Sequence, residues 1–329
     1  MATADQLKAL LKSYIENDSP RFLSVAMQMA AQEARLGHAK LAQDLRALID
    51  QAKERGEIAP QQPQRPLLLA QPKGELAGLL SVTYPKTRLA DMVLDESTKA
   101  RLMRVLREQR QGELLRSHGL RPRHRLLLVG PPGSGKSLTA AALAGEMGLP
   151  LFSIQLDGLL TRFMGEAAAK LRLIFDAMRT TRGVYLFDEF DAIGGHRTAT
   201  NDVGEIRRVL NSFLQFIEQD ESAGLIVAAT NHAELLDEAL FRRFDDMLEY
   251  DTPAKGLVAQ TIKSRLGNFN PRDKALEALS ESAQGLSFAE ITRACDDALK
   301  DAVMSERQTV DADALLSAFA ERKGPRRRR

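Results

Sequence analysis

The stretch GPPGSGKS at residues 130–137 follows the apolar segment RLLLV and precedes the helix-forming run LTAAALAGEM. It matches the pattern of a glycine, four residues and then Gly-Lys-Ser, which forms a phosphate-binding loop between a strand and a helix. Glycines allow the backbone to wrap around a phosphate chain, and the N-terminus of the following helix adds positive potential. Because both flanks agree with the motif, the stretch predicts a nucleotide site rather than an ordinary glycine-rich turn.

Two side chains of this loop carry most of its chemistry. Lys136 supplies a charge for the β- and γ-phosphates, and the hydroxyl of Ser137 is a ligand for Mg²⁺. Successive backbone N–H groups complete the site as inward-pointing donors. The other cofactor-binding positions that we predict in this segment are Pro132, Gly133, Ser134, Gly135 and Leu138.

A second motif, YLFDEF, ends an apolar strand with two carboxylates, Asp188 and Glu189. One carboxylate holds the Mg²⁺ shell, and the other orients or deprotonates an attacking water. Carboxylates at a buried strand end are costly unless a cation is nearby. We therefore predict nucleotide hydrolysis, with Asp188 as the metal ligand and Glu189 as a catalytic residue; the alternative is a pair of solvated loop acids.

The apolar runs around these motifs predict the fold class. Four short segments are almost continuously apolar, as expected for parallel strands buried on both faces; they are residues 125–130, 151–156, 184–189 and 225–230. Helical stretches separate them, which predicts an α/β fold: a P-loop NTPase three-layer αβα sandwich with a parallel sheet. No convincing strand follows Pro253, and four helical segments are predicted there: residues 255–266, 273–283, 287–306 and 311–322.

The rest of the chain divides by composition. Apolar stripes at residues 1–53 predict a small helical N-terminal domain. In a motor this domain would select substrates or adaptors; the alternative is that the stripes form only a hydrophobic core. The Pro- and Gln-rich residues 54–85 are typical of an exposed linker. We expect an ATPase domain at residues 86–253, a helical lid domain at residues 254–322 and a basic tail at residues 323–329.

Charge, cysteine content and the absence of targeting patterns limit the kinds of partner and location that we expect. The net charge is +2, and without the four arginines that end the chain it would be −2. The rest of the chain is thus close to neutral, which argues against a broad nucleic-acid-binding surface. The one cysteine, Cys295, excludes an internal disulfide and is typical of a small core residue. The N-terminus lacks the pattern of a signal peptide, and no apolar run approaches the roughly 18 residues that span a bilayer. We expect a cytoplasmic protein without a membrane span.

The order of the motifs resembles that of the AAA family of ring-forming P-loop ATPases over roughly residues 86–320. GPPGSGKS is similar to the Walker A loop, LFDE is similar to the Walker B strand with its catalytic glutamate, and Asn231 in IVAATN lies at the sensor 1 position, which orients the attacking water. Katanin, spastin, the vacuolar sorting ATPase and the AAA protease motor domains have similar motifs. The resemblance implies ATP and Mg²⁺ as cofactors, hydrolysis of ATP to ADP and phosphate, and self-assembly into a ring, typically a hexamer.

The stretch LDEALFRRFDD contains Arg242 and Arg243, which resemble the arginine fingers that reach the γ-phosphate of a neighbouring subunit. A guanidinium suits this task because it is always charged and binds phosphate oxygens in pairs. The resemblance also implies an adenine pocket, made of Asp91, Met92 and Val93 and closed by the lid residues Phe288 and Ala289. Phe288, in GLSFAEI, replaces a small residue of the family's lid signature, so its contact with the base stays open.

The stretch RFMGEAAAKLRLIF contains an apolar pair, Phe163 and Met164, just before Gly165. In the family, an aromatic–aliphatic–Gly tripeptide before a glutamate lies in the central pore and grips a threaded polypeptide. The resemblance therefore implies a substrate pore loop at these three residues. Folding of both apolar side chains back into the core is the alternative.

The leading hypothesis is a ring-forming ATPase that remodels, unfolds or translocates protein substrates through its pore. A separate partner protease or adaptor is consistent with this hypothesis, because the sequence has no His-Glu-x-x-His run of a fused metalloprotease. The alternative is an ATP-dependent nucleic-acid motor or loader, or a DNA-associated regulatory ATPase, anchored by the tail PRRRR. Nucleic acid is the less favoured partner because the chain has no tryptophan and only four tyrosines for base stacking. A third class is a regulatory ATP switch with little turnover.

Overall fold

The structure is a computed structural model that describes residues 74–159, 166–194, 203–271 and 273–323, together with Pro72 and scattered positions between 25 and 47. The chain divides into two units, Met1–Leu69 and Ala70–Arg329. In the first unit, the described positions from 25 to 34 and from 40 to 47 are helical. Small apolar side chains are buried there, among them Ala26, Ala30 and Ala42.

The second unit is built on a six-stranded sheet. Its strands are β1 (Leu80–Thr83), β2 (Arg125–Val129), β3 (Leu151–Ile154), β4 (Val184–Phe187), β5 (Leu225–Thr230) and β6 (Asp246–Glu249). Their spatial order is β1-β3-β4-β5-β2-β6. All neighbouring strands are parallel except β1, which is antiparallel to β3. All four predicted strands are present, and the α/β fold class is confirmed.

Helices flank the sheet and then continue beyond it. In the described part of the second unit they are α1 (Glu96–Arg110), α2 (Gly112–Ser117), α3 (Lys136–Met147), α4 (Leu156–Leu159), α5 (Glu166–Thr180), α6 (Asp191–Gly194), α7 (Val203–Glu218), α8 (Glu238–Phe241), α9 (Lys255–Leu266), α10 (Asp273–Ser282), α11 (Phe288–Met304) and α12 (Ala312–Lys323). The last four agree with the predicted helices of the C-terminal part to within two residues at each end.

The structure differs from the sequence interpretation at the two edges of the sheet. Strand β1 lies within residues 54–85, so the description of that range as an exposed linker is wrong for its last part. The neighbouring Pro- and Gln-rich composition concealed a four-residue edge strand, in which only Leu80 is buried. Strand β6, with the sequence DMLE, was also not predicted. Edge strands are short and partly solvated, so they lack the continuous apolar run that identified the four inner strands.

Each face of the sheet has its own hydrophobic core, because side chains alternate between faces along a strand. In β2, Leu127 belongs to one core, and Leu126 and Leu128 belong to the other. The Leu127 face is covered by α5 and α7, through Ile174 and Phe213 among others. The opposite face is covered by α1 and α3, whose buried side chains include Leu102, Val105, Leu106, Ala140 and Leu143. The result is the predicted three-layer arrangement.

The four C-terminal helices pack around a third core of their own. It includes Ile262 from α9, Leu279 from α10, Ile291 from α11 and Phe319 from α12. Cys295 is fully buried in the same core, and burial raises the pKa of its thiol to about 12. The thiol is therefore protonated and unreactive at neutral pH, as expected for a core residue.

Candidate nucleotide site

The strand order brings the three sequence motifs to one edge of the sheet. Strands β4, β5 and β2 are adjacent and parallel. Asp188 and Glu189 follow β4, Asn231 follows β5, and the loop at 130–137 follows β2. Because the carboxyl ends of parallel strands meet at one edge, these residues share the crevice in which open α/β sheets bind ligands.

Two glycines of the loop are required by close contacts. A Cβ atom at Gly130 would clash with the carbonyl oxygen of Tyr250, which follows β6. Gly133 has a φ of +76°, and a Cβ atom there would lie 2.9 Å from the hydroxyl oxygen of Ser287. A side chain at either position would thus displace the loop from the strand or helix beside it. The loop geometry is that of a phosphate cradle.

Lys136, the first residue of α3, has all its ammonium hydrogens engaged. Its Nζ donates to the carbonyl oxygens of Gly130 at 2.7 Å and Pro131 at 2.9 Å, and to Oδ1 of Asn231 at 2.8 Å. These three acceptors fix the ammonium group at the loop where the β- and γ-phosphates of a nucleotide are expected. The bond to Asn231 joins two residues that are 95 positions apart in the chain.

Burial affects the protonation of the Lys136 ammonium group. Only 6% of the residue is exposed, and desolvation lowers the pKa of the ammonium group. The carboxylates of Asp188 and Asp191 oppose that shift by favouring the charged form. An anionic phosphate chain would act in the same direction as the carboxylates and hold the lysine in its protonated state.

Asp188 and Ser137 fit the oxygen donors that Mg²⁺ requires. The hydroxyl of Ser137 donates to Oδ2 of Asp188 at 2.6 Å, so the two oxygens are close enough to share one cation. No cluster of three or more His, Cys, Asp or Glu side chains that could hold a metal occurs in the described part of the chain. A site with one hydroxyl and one carboxylate suits Mg²⁺, which keeps several waters and uses nucleotide phosphates as further ligands.

Glu189 follows Asp188 in an unusual backbone conformation. Its φ is +51°, in the left-handed region that non-glycine residues rarely adopt. Its N–H donates to Oδ1 of Asp188 at 3.0 Å, which ties the two acids together. Such a conformation costs about 1–3 kcal/mol and persists where the surrounding structure imposes it, often at functional sites. The exposed carboxylate of Glu189 remains accessible to a water molecule.

Two contributors cannot be recognised from the sequence, Thr230 at the end of β5 and Asp191 at the start of α6. The fully buried Thr230 hydroxyl donates to Oδ1 of Asp191 at 3.0 Å and accepts the N–H of His232 at the same distance. These bonds fix the backbone on both sides of Asn231 and thereby its amide. The only signal in the sequence is that polar residues follow two buried strands, which does not reveal that they meet.

A cavity of about 230 Å³ adjoins the phosphate loop and collects the residues of the predicted adenine pocket. Its lining contains the predicted positions Asp91, Met92, Val93, Ser134, Gly135, Leu138 and Phe288. It also contains four residues that were not predicted, Thr261, Ser264, Arg265 and Thr292. Leu138 is 47% exposed, and Met92 and Phe288 line the same space, so apolar groups surround a slot with hydroxyls at its border. This combination can hold a purine base.

The remaining predicted positions of the loop and lid lie beside this cavity rather than in its lining. The backbone N–H of Ala289 donates to the carbonyl oxygen of Gly133 at 3.0 Å. Ser287 caps α11 through a capping box with Glu290. The first turn of α11 is therefore bonded to the phosphate loop itself. Pro132 is exposed on the loop.

The two arginines of the predicted finger differ in their surroundings. Arg243 forms an ion pair with Glu218 at 2.8 Å and donates to the carbonyl oxygen of Ala239 at 3.3 Å. Arg242, at the end of α8, is exposed and has no ion pair with another described residue. Arg243 is thus tied to its own subunit, and the guanidinium of Arg242 is available to another group. The predicted pore residues Phe163, Met164 and Gly165 lie outside the described residues.

Comparison with known proteins agrees with this geometry. A family profile described as "ATPase family associated with various cellular activities (AAA)" matches residues 126–252. An "Uncharacterized AAA family ATPase y4kL" from Sinorhizobium fredii is 35% identical over 315 residues, which cover 94% of this chain and 92% of that protein. The chain belongs to the AAA family of ATPases. An AAA ATPase binds nucleotide and hydrolyses ATP to ADP and phosphate, and AAA ATPases typically assemble into rings.

AAA proteases are among the relatives of this chain. The "ATP-dependent zinc metalloprotease FtsH" of Acidothermus cellulolyticus is 32% identical over 246 residues, or 72% of this chain. The "ATP-dependent zinc metalloprotease FtsH 2" of Bdellovibrio bacteriovorus is 32% identical over 267 residues, or 75% of this chain. The matched regions span only 37% and 43% of those two proteins. None of the helices in the described part of this AAA chain has the length and hydrophobicity that a membrane span requires.

Lys136→Met is expected to weaken ATP binding by about 10- to 150-fold, because a hydrogen bond to a charged group contributes about 1.5–3 kcal/mol. Equilibrium titration with a fluorescent ATP analogue measures this change. Lys99→Met is the matched control, since Lys99 is exposed on α1, away from the loop. Equal affinities for the two variants would contradict the role assigned to Lys136.

Proposed function

We propose that this AAA ATPase is a ring-forming motor that remodels, unfolds or translocates protein substrates through a central pore. The observation that carries the proposal is the exposed guanidinium of Arg242, next to an Arg243 that is held by Glu218. An unengaged arginine at this place suits contact with the γ-phosphate of a nucleotide bound by a neighbouring copy. The nucleotide site would then be complete only in the oligomer, for which a hexamer is the expected size.

The chain's own residues supply the remaining parts of the hydrolysis. Lys136 binds the phosphate chain, and Asn231, fixed by its bond to that lysine, orients the attacking water through its amide. Glu189 accepts the proton of that water. Ser137 and Asp188 would hold Mg²⁺, which neutralises charge on the phosphate oxygens when it is bound. Arg242 of the adjacent copy would stabilise the charge that develops during transfer.

The contact between the helical part and the phosphate loop supports a motor rather than a passive nucleotide site. The bond from Ala289 to Gly133 and the close approach of Ser287 join α11 directly to the loop. A change at the γ-phosphate would therefore alter the position of the helices from α9 to α12. In this proposal residues 86–253, extended to include β1, form the motor's α/β domain, and residues 254–322 form its lid.

The substrate side of the proposal rests on the sequence of the segment before α5. Phe163 and Met164 would contact polypeptide in the pore through a ring and a thioether, which require no particular partner residue. Two relatives are named ATP-dependent zinc metalloproteases, which supports a polypeptide substrate. We propose that the partner is a separate protease or adaptor and that the residues before the linker select it.

Phe163→Ala is expected to leave basal ATP turnover within about twofold of the original and to lower capture of an unfolded polypeptide about tenfold, since one aromatic anchor contributes about 1.5 kcal/mol. The measurement is the anisotropy of labelled unfolded casein with a non-hydrolysable ATP analogue. Met103→Ala is the control, because Met103 is 47% exposed on α1. Unchanged casein capture by the Phe163 variant would remove the pore assignment.

A further inference from the structure

A cleft of about 280 Å³ lies at the opposite end of the strands from the nucleotide site. Its lining comes from segments that directly precede three central strands: His124 before β2, Arg182 before β4, and residues 220–224 before β5. Arg116, from the last turn of α2, closes one side. The cleft therefore shares no residue with the hydrolysis machinery.

Three arginines line this cleft, and two of them lack an ion pair within the described residues. Arg121 pairs with Glu221 at 2.9 Å, which neutralises both side chains. Arg116 and Arg182 are exposed, and the described structure gives neither of them a carboxylate partner. Acids of other elements pair with four nearby arginines, Arg101, Arg110, Arg123 and Arg125. Arg116 and Arg182 are thus the guanidiniums of the cleft that have no ion pair among the described residues.

The buried acid of the cleft does not compete for them. The Asp220 side chain is 0% exposed, and its two carboxylate oxygens accept the N–H of Ser222 at 3.3 Å and the hydroxyl of Ser222 at 2.9 Å. Its carboxylate is thus withdrawn from the open space and already engaged. The exposed charges of Arg121 and Glu221 offset each other, so those of Arg116 and Arg182 leave an excess of positive charge in the cleft.

A buried imidazole at the base of the cleft has an unmet hydrogen bond. His124 is 7% exposed, and its Nδ1 atom lies 3.3 Å from Oδ2 of Asp245. No described residue forms a hydrogen bond with its buried Nε2 atom, and the carboxylate oxygen nearest to Nε2, from Asp220, is 3.7 Å away, beyond hydrogen-bond distance. Buried polar atoms are nearly always satisfied by protein, water or ligand, so this atom points to a missing partner.

We propose that this cleft is a second ligand site of the protein, which binds the phosphate group of a small phosphorylated molecule. Two guanidinium forks offer more N–H donors than the two oxygens of a carboxylate accept, and they suit the three terminal oxygens of a phosphate. Nε2 of His124 can share a proton with one of these oxygens. The space also exceeds what a bare phosphate fills, which leaves room for an organic part of the ligand. The site is independent of the proposed nucleotide chemistry.

The test is isothermal titration calorimetry on the full chain, saturated with a non-hydrolysable ATP analogue and Mg²⁺ so that the nucleotide site cannot take up the probe. The probes are inorganic phosphate and glycerol 3-phosphate, with acetate as the carboxylate comparison. The variants are the double substitution Arg116→Gln with Arg182→Gln, and His124→Gln. Arg104→Gln with Arg179→Gln is the matched control, because both arginines are exposed on flanking helices and lie outside the cleft.

The original chain and the control are expected to bind both phosphate probes, and the double variant to bind them at least about tenfold more weakly, because charge-assisted hydrogen bonds are lost. His124→Gln, which alters the buried atom without removing an arginine, is expected to weaken binding as well. Tighter binding of glycerol 3-phosphate assigns the site to phosphate esters, and equal binding assigns it to inorganic phosphate. The proposal is overturned if neither phosphate probe binds, if acetate binds as tightly, or if the double variant matches the control.

Discussion

Arg242→Ala is expected to lower the ATP turnover of the assembled protein by about 10³-fold or more, with ATP affinity nearly unchanged. The substitution removes an exposed guanidinium that has no ion pair among the described residues, so it leaves the fold of its own subunit intact. Its effect on hydrolysis would arise at the γ-phosphate of a neighbouring copy. Steady-state phosphate release gives the turnover, and titration with the fluorescent analogue gives the affinity.

Two arginine variants separate this effect from a general loss of charge. Arg104→Ala removes another exposed arginine and should retain full turnover. Arg243→Ala breaks the ion pair with Glu218, so it should lower the melting temperature, which the Arg242 variant leaves unchanged. If Arg242→Ala retained more than half of the turnover, the finger assignment would fail.

Glu189→Gln is the second large effect that we expect. The amide preserves the size of the side chain but cannot accept the proton of the attacking water, so turnover should fall by about 10²- to 10⁴-fold. ATP binding should persist, because the contacts of Lys136, Ser137 and Asp188 remain. Rapid-quench measurement of bound ATP and ADP would show that uncleaved ATP accumulates on the variant, at about one ATP molecule per site.

The control for this substitution is Glu113→Gln, an exposed acid on α2, far from the motifs. It should hydrolyse ATP at the original rate. The backbone strain at position 189 offers a further check, because both Glu and Gln must adopt the φ of +51° there. A melting temperature that falls together with turnover would indicate disrupted folding rather than lost chemistry, and undiminished turnover of Glu189→Gln would contradict the assigned role.

The inner part of the fold was predictable because burial on both faces imposes an apolar run on the sequence. Strands β2, β3, β4 and β5 all have such a run, and the motifs that end three of them agree with it. The edge strands β1 and β6 were missed, since half-exposed strands of four residues contain too few apolar positions. The antiparallel direction of β1 depends on how the chain enters the sheet, which no local pattern determines.

The candidate site was predictable in its motifs but not in its long-range contacts. The residue types in GPPGSGKS and LFDE indicate phosphate and metal chemistry from their spacing alone. The bond between Lys136 and Asn231, and the support that Thr230 receives from Asp191, join distant segments. The different environments of Arg242 and Arg243 depend on Glu218, which lies far away in the sequence. Adjacent residues of one type can therefore have different surroundings that the sequence alone does not distinguish.

At Phe288 the structure adds information that the family resemblance does not give. The family's lid signature has a small residue there, which left the contact of Phe288 with a base open. In the structure Phe288 lines the candidate base cavity, together with Met92 and Leu138. A larger side chain is accommodated because it borders the cavity, whereas the neighbouring Ala289 lies against the phosphate loop through its backbone bond to Gly133.

The central claim, that the ATP site is completed by a second copy of the chain, is tested most directly by mixing two inactive variants. Glu189→Gln retains Arg242, and Arg242→Ala retains Glu189. In rings assembled at random from equal amounts, about one quarter of the interfaces join an intact Glu189 to an intact Arg242 of the neighbour. We predict that the mixture regains about one quarter of the ATP turnover of the original protein. Turnover in the mixture no higher than that of the separate variants would contradict a shared site.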